Sequence, residues 1–124
     1  FYNLLKNYSD DLQNFVVHCF TGNKEHLEKY LDLGAYIGLT GWITDTNRGS
    51  HLHDIIKYIP HDRLMIETDA PYLIPHNMNF SHDGINRPAY LTYVAESVAK
   101  SMDLDINYLS KITIENTKRF FNLA

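Results

Sequence analysis

Short apolar runs alternate with stretches of helical period along this chain. Phe15 to Phe20 is a β-branched and aromatic run that stops at Thr21-Gly22, as a buried strand does. Ala35 to Thr40, closed by Gly41, and Leu64 to Thr68 repeat that signature. Between these runs, Leu27, Tyr30 and Leu31 fall on one helix face, and Gly34 terminates that helix. Leu52, Ile55, Ile56 and Ile59 recur at helical spacing as far as Pro60. A proline-rich polar loop follows the third strand, from Ala70 to Arg87. Pro88 suits the first turn of a helix whose apolar face is Leu91, Val94, Ala95 and Val98. Asp105 caps a further short helix carrying Leu109 and Ile112, and the tail from Ile114 to Leu123 is expected to be helical too. Residues 1–12, with Tyr2, Leu4, Leu5 and Leu12, read as a helix leading into the first strand.

Strands regularly separated by helices predict an α/β fold with a parallel sheet and right-handed crossovers. Both faces of such strands are covered, which is why they are apolar runs rather than clean alternations. Three strands make a thin sheet for such a fold, so further strands are expected from outside this segment.

Composition narrows the class. The chain has 124 residues, 44% hydrophobic and 21% charged, which suits a single soluble globular domain or a piece of one. No apolar run is long enough to span a membrane. The amino terminus lacks the basic-then-apolar layout of a secretory signal and a starting methionine, as a cropped chain would. The single Cys19 excludes an internal disulfide and any cysteine-rich metal cluster, and fits a reducing cytoplasm. A net charge of −4 shows no global signature of a nucleic-acid binder. An enzyme that meets nucleic acid only inside a metal-loaded pocket needs none.

In parallel α/β folds the chemistry sits at the carboxyl ends of the strands. His18, Thr40, Glu67 and Asp69 all fall there. Alternation along the third strand puts Met65, Glu67 and Asp69 on one face. Two carboxylates on one buried face repel each other and need a compensating partner. A divalent cation is one such partner, with His18 as a nitrogen ligand from the neighbouring strand end. The residues alone also fit a blander arrangement. His18 would then be a hydrogen-bonded core residue, the carboxylates would cap the next turn or pair with Arg63 or Arg87, and Pro71 would rigidify the turn. His51 and His53 form His-x-His by letters only. They sit on a helix, where residues two apart do not face each other, and are expected at the surface. His26 and His61 read as structural, and His76 and His82 as loop residues.

Five motifs then occur in a telling order. They are His18-Cys19-Phe20-Thr21-Gly22, Gly38-Leu39-Thr40-Gly41-Trp42, Ile66-Glu67-Thr68-Asp69-Ala70-Pro71-Tyr72-Leu73, Asn86-Arg87-Pro88-Ala89 and Asn116-Thr117-Lys118-Arg119-Phe120-Phe121. Together they resemble the TatD family of metal-dependent deoxyribonucleases, within the amidohydrolase-like superfamily, over nearly the whole chain. Arg87 stands where that family commonly has an acid. The resemblance implies the carboxyl-terminal part of a (β/α)8 TIM barrel, residues 1–124 forming one portion of a single domain. It implies hydrolysis of DNA phosphodiester bonds, often from the 3′ end, with one or two divalent ions such as magnesium, manganese or zinc. His18 and Asp69 would be metal ligands. Asp69 would also help position or deprotonate the attacking water, and Glu67 would ligate or orient a water beside it.

For the substrate, Trp42 and Tyr72 follow strands at the active face, where they would stack a base or pack the loops. Arg48 and Arg87 are the candidates for phosphate contacts, the alternative being solvation or pairing with acids. The family's first-strand His-x-His, its mid-barrel glutamate and its Leu-His-x-Arg histidine have no counterpart here. An eight-stranded barrel needs about 250 residues, so the expected partners are DNA and either the missing amino-terminal half or a second copy. Two rival readings remain: an inert fragment acting as an interaction module, and a related hydrolase of a lactone, amide or phosphotriester.

Overall fold

A computed structural model describes residues 1–124. At its centre β1 (Val16–Val17), β2 (Tyr36–Leu39) and β3 (Leu64–Ile66) form a parallel sheet in sequence order. Val17 pairs with Ile37, Ile37 with Leu64, and Leu39 with Ile66. The helices are α1 (Tyr2–Tyr8), α2 (Lys24–Asp32), α3 (Leu52–Ile55), α4 (Leu91–Met102) and α5 (Ile106–Phe120). None is long and apolar enough to cross a membrane.

Strand alternation sorts the side chains. Val17, Ile37, Leu39 and Leu64 enter a helix-covered core with Leu27, Ile56, Val94, Val98 and Leu109. Each fully buried aliphatic side chain contributes about 1.5–3 kcal/mol, so this layer holds the sheet to its helices. The opposite parity carries His18, Tyr36, Gly38, Met65, Glu67 and Asp69. Tyr36 on that face packs edge-on against Phe120, with ring centroids 5.2 Å apart. The core therefore fixes one face of each strand and leaves the other to present polar groups at the strand ends.

Several elements differ from the periodicity. The first strand is two residues long because Cys19, at φ 48°, takes the left-handed conformation and turns the chain. The segment still follows its neighbour, since Phe20 N–H donates to Gly38 O at 2.9 Å. The third strand ends at Ile66, with one further rung from Glu67 N–H to Leu39 O at 2.9 Å. Helix α3 is one turn that tightens into a 3-10 turn over Ile56–Tyr58. In the carboxyl-terminal region the expected short helix and helical tail are one continuous helix, which ends at Phe120. Asp105 caps it as expected, its Oδ1 accepting from the backbone N–H of Asn107 and Tyr108 at 2.9 and 3.1 Å. His53 is not at the open surface. It is half-buried, with Nδ1 2.5 Å from Ser101 Oγ on α4, because α3 lies against α4 there.

Candidate active site

The ends of β1 and β3 bring three groups together. Glu67 Oε2 stands 2.8 Å from His18 Nδ1, and Asp69 Oδ1 stands 3.0 Å from His18 Nε2. The other oxygen of Glu67 accepts from Cys19 N–H at 3.0 Å, so one carboxylate spans the side chain of His18 and the backbone after it. The hydrogen bond that His18 Nδ1–H gives to Glu67 is the main reason the imidazole is held above its ordinary value. Burial opposes the rise, and the charges of Glu67 and Asp69 add to it.

Thr40 completes the rim at the end of β2. It is buried, its Oγ1 lies 3.2 Å from Cys19 Sγ, and it accepts from Trp42 N–H at 3.3 Å. Burial pushes the Cys19 thiol up, against the hydrogen bond with Thr40 that lowers it. The thiol is a packing group here rather than a thiolate donor.

No three of the chain's His, Cys, Asp and Glu side chains form a cluster able to hold a metal by themselves. What converges is one imidazole nitrogen and one carboxylate oxygen, with a second carboxylate behind the ring. A metal-ligating histidine almost always gives its other ring N–H to a carboxylate, carbonyl or water, and Glu67 is placed to receive that of His18. With Nδ1–H donating to Glu67, the Nε2 lone pair faces Asp69. Ligand distances of about 2.0–2.2 Å around one small divalent cation are compatible with a nitrogen–oxygen separation near 3 Å. The donor set therefore fits a divalent cation, with His18 and Asp69 as the residues able to hold it.

Beside this rim lies a cavity of about 370 Å³, lined by Trp42, Arg48, Tyr72, Ile74 and His76 among others. Arg48 is anchored at its base. Its Nε donates to Asp45 Oδ2 at 2.5 Å, and its guanidinium lies over the Trp42 ring at 4.3 Å. Asp45 is buried, and its Oδ1 accepts from the N–H groups of Asn47 and Arg48, each at 3.0 Å. The Arg48 side-chain hydrogen bond foremost, then its backbone N–H, holds the Asp45 carboxyl down to about 2. The two terminal nitrogens of Arg48 have no partner in the chain. Trp42 therefore offers at most one free face, and its Nε1 is buried without a partner.

Arg87 is spent differently. Its terminal nitrogens reach both oxygens of Asp83, Ile85 O and Tyr90 OH. Tyr72 is 75% exposed, which leaves its ring free to meet a ligand. Of the other histidines, His61 bonds Tyr108 OH at 3.1 Å, His26 is exposed on α2, and His82 Nδ1 accepts from Gly84 N–H at 3.2 Å. Only His76 of the two loop histidines lines the cavity. Two residues of this region were not singled out from the sequence. Asp45 had a usable signal, its i,i+3 spacing to Arg48; Gly38, whose Cα lies under Glu67, was read only as the opening residue of a strand-end motif, without a role of its own.

Comparison with known proteins bears on the family and the fold. The family model described as "TatD related DNase" matches residues 1–122. A protein from Rahnella sp. (strain Y9602), named 3′-5′ ssDNA/RNA exonuclease TatD, is 46% identical over 100% of this chain and 48% of its own length. A protein of the same name from Edwardsiella piscicida is 41% identical over 98% of this chain and 47% of its own. The chain thus spans about half the length of the curated relatives it matches. Among solved structures, YJJV, a TatD homolog from Escherichia coli K12, superposes with a TM-score of 0.85 at 26% identity, covering 99% of this chain and 46% of that one. A TatD-family hydrolase from Entamoeba histolytica, at 22% identity, shares the fold with a TM-score of 0.82 over 95% of this chain and 45% of its own. The three-stranded α/β unit is part of the TIM barrel of those proteins, and the chain belongs to the TatD family of DNases.

Proposed function

We propose that this chain forms the His18–Asp69 side of a divalent-metal-dependent nuclease site that hydrolyses phosphodiester bonds of DNA. The observation that carries the reading is the approach of Asp69 to His18 Nε2 at 3.0 Å, with Glu67 on the far nitrogen, at the strand ends of a TatD-family fold. The names of the Rahnella and Edwardsiella relatives point to single-stranded DNA or RNA digested from the 3′ end.

The roles divide by chemistry. His18 and Asp69 hold the cation, magnesium, manganese or zinc, as one ion or two. A bound divalent cation supplies Lewis acidity at a phosphoryl oxygen and lowers the pKa of a water. Asp69 positions the attacking water and takes its proton, and Glu67 keeps His18 oriented. Arg48, with its terminal nitrogens free, meets a phosphate. Tyr72 stacks a base, a contact worth about 1–3 kcal/mol. Trp42 forms the wall that carries Arg48, and Arg87 orders the loop through Asp83.

Two protein ligands leave most of a coordination sphere to be filled. Both β1 and β3 are sheet edges, which favour pairing with further strands. The amino-terminal half of the barrel, or a second copy, is the proposed partner that adds those strands and the remaining ligands.

The test is cleavage of single-stranded DNA labelled at either end, with manganese, by this chain alone and joined to the missing barrel half. The reading expects mononucleotides released from the 3′ end by the joined protein, and a loss of at least about 100-fold with Asp69→Asn. Manganese-dependent hydrolysis of a lactone or amide with none of DNA would contradict it.

A further inference from the structure

Gly38 lies in the middle of β2, paired with Met65, on the face that carries His18 and Glu67. Glycine weakens a strand interior and marks a place where another group approaches closely. That group is Glu67. A Cβ built on Gly38 would overlap Glu67 Oε1, stand 2.5 Å from Cδ and 3.2 Å from Oε2. The backbone of Gly38 is in an ordinary conformation, so the glycine is needed for space and not for φ. The carboxylate lying over it is the one that accepts from Cys19 N–H and stands 2.8 Å from His18 Nδ1.

We propose that Gly38 is a positioning residue of this site: its bare α-carbon is the slot through which Glu67 crosses the middle strand to hold His18 with Nε2 turned toward Asp69. The inference rests on the metal-centre reading for its consequence on cation binding. The slot itself is a property of the chain alone. The atom in the way is the far end of a flexible side chain, so Gly38→Ala displaces the carboxylate while the strand keeps its place. A substitution that added bulk to a strand without this slot would disturb packing and leave the histidine's tautomer alone.

The experiment uses the full chain with ¹⁵N-labelled histidine at a pH where His18 is neutral. Glu67 makes the shorter of the two carboxylate contacts, so wild-type His18 is expected as the Nδ1–H tautomer. Gly38→Ala and Glu67→Ala are both expected to shift it toward the Nε2–H form. Manganese affinity should fall about tenfold in each single variant, and no further in the double variant Gly38→Ala/Glu67→Ala. Retention of the Nδ1–H tautomer in Gly38→Ala, or losses that multiply in the double variant, would overturn the proposal. If Gly38→Ala alone does not fold, the double variant, which removes the overlap, is expected to fold. A double variant that also fails by circular dichroism would show the glycine serving the strand rather than Glu67. Absence of manganese binding by the wild-type chain joined to the missing barrel half would count against the metal-centre reading, while the tautomer in the chain alone still reports on the slot.

Discussion

Asn116 donates from its side-chain amide to the carbonyl of Leu64 at 2.7 Å, joining the middle of α5 to the first residue of β3. The same nitrogen reaches His61 O, also at 2.7 Å, and the residue is 1% exposed. β3 is the strand whose end carries Glu67 and Asp69, so this amide sets the height of the site on its scaffold. Leaving a buried carbonyl without its donor costs about 1–3 kcal/mol, and Asn116 serves the buried one of Leu64 and the partly buried one of His61. Asn116→Leu is expected to lower the unfolding free energy by about 2–4 kcal/mol. Glu115→Gln, one position away on the exposed side, should change it by less than about 0.5 kcal/mol. Urea denaturation of the three proteins checks both.

Acid should loosen the cavity wall before it unfolds the core. The Asp45 carboxyl is held down to about 2 by Arg48, so its folded value lies below its unfolded one. Its contribution is complete above the ordinary carboxylate range and is lost as pH falls from about 4 toward 2. Asp83, held to about 2 chiefly by Arg87, acts in the same window. Asp45→Asn should therefore be less stable than wild type at pH 7, with the difference shrinking below pH ~4. Urea midpoints measured along a pH series decide it.

His18 titrates in the opposite sense. Its folded value is raised, first by the Glu67 hydrogen bond, so the stabilisation is complete below the ordinary imidazole value and is lost as pH rises through the folded one. A cation at Nε2 competes with that proton, so manganese affinity should climb with pH across the same interval. Glu67→Gln is expected to bring the histidine titration down and the rise in affinity with it. Histidine NMR titration, with manganese binding measured at each pH, follows both.

The loop after β3 hangs on one amide. Asn86 is buried, and its Nδ2 donates to Tyr72 O at 2.6 Å and Leu73 O at 3.1 Å, while its own N–H reaches Pro71 O at 3.0 Å. Asn86→Ala should cost about 1–3 kcal/mol. It should also open the Tyr72–Asn86 segment to limited proteolysis without changing the helical content seen by circular dichroism.

The sheet and most helices were legible because Ile37, Leu39, Leu64, Val94 and Val98 obey strand or helix periodicity and burial follows it. The convergence of Glu67 and Asp69 was legible from the two-residue alternation, and His18 from its place at a strand end. What escaped depends on contacts distant in sequence. Nothing local to Gly38 shows that Glu67 lies above it, and nothing near Asn116 shows the two carbonyls it serves. Arg48 and Arg87 looked equivalent as letters, yet Asp45 leaves the tip of one free while Asp83 and Tyr90 occupy the other. The early end of β1 escaped because Cys19 takes a left-handed conformation that its residue type does not favour.

The central claim, a cation shared by His18 and Asp69, is tested most directly by paramagnetic broadening. Manganese titrated into the ¹⁵N-histidine-labelled protein should broaden the ring resonances of His18 ahead of those of His26, His51 and His61, and Asp69→Asn should abolish that preference. Broadening spread evenly over all the histidines, or a His18 response unchanged by Asp69→Asn, would contradict it.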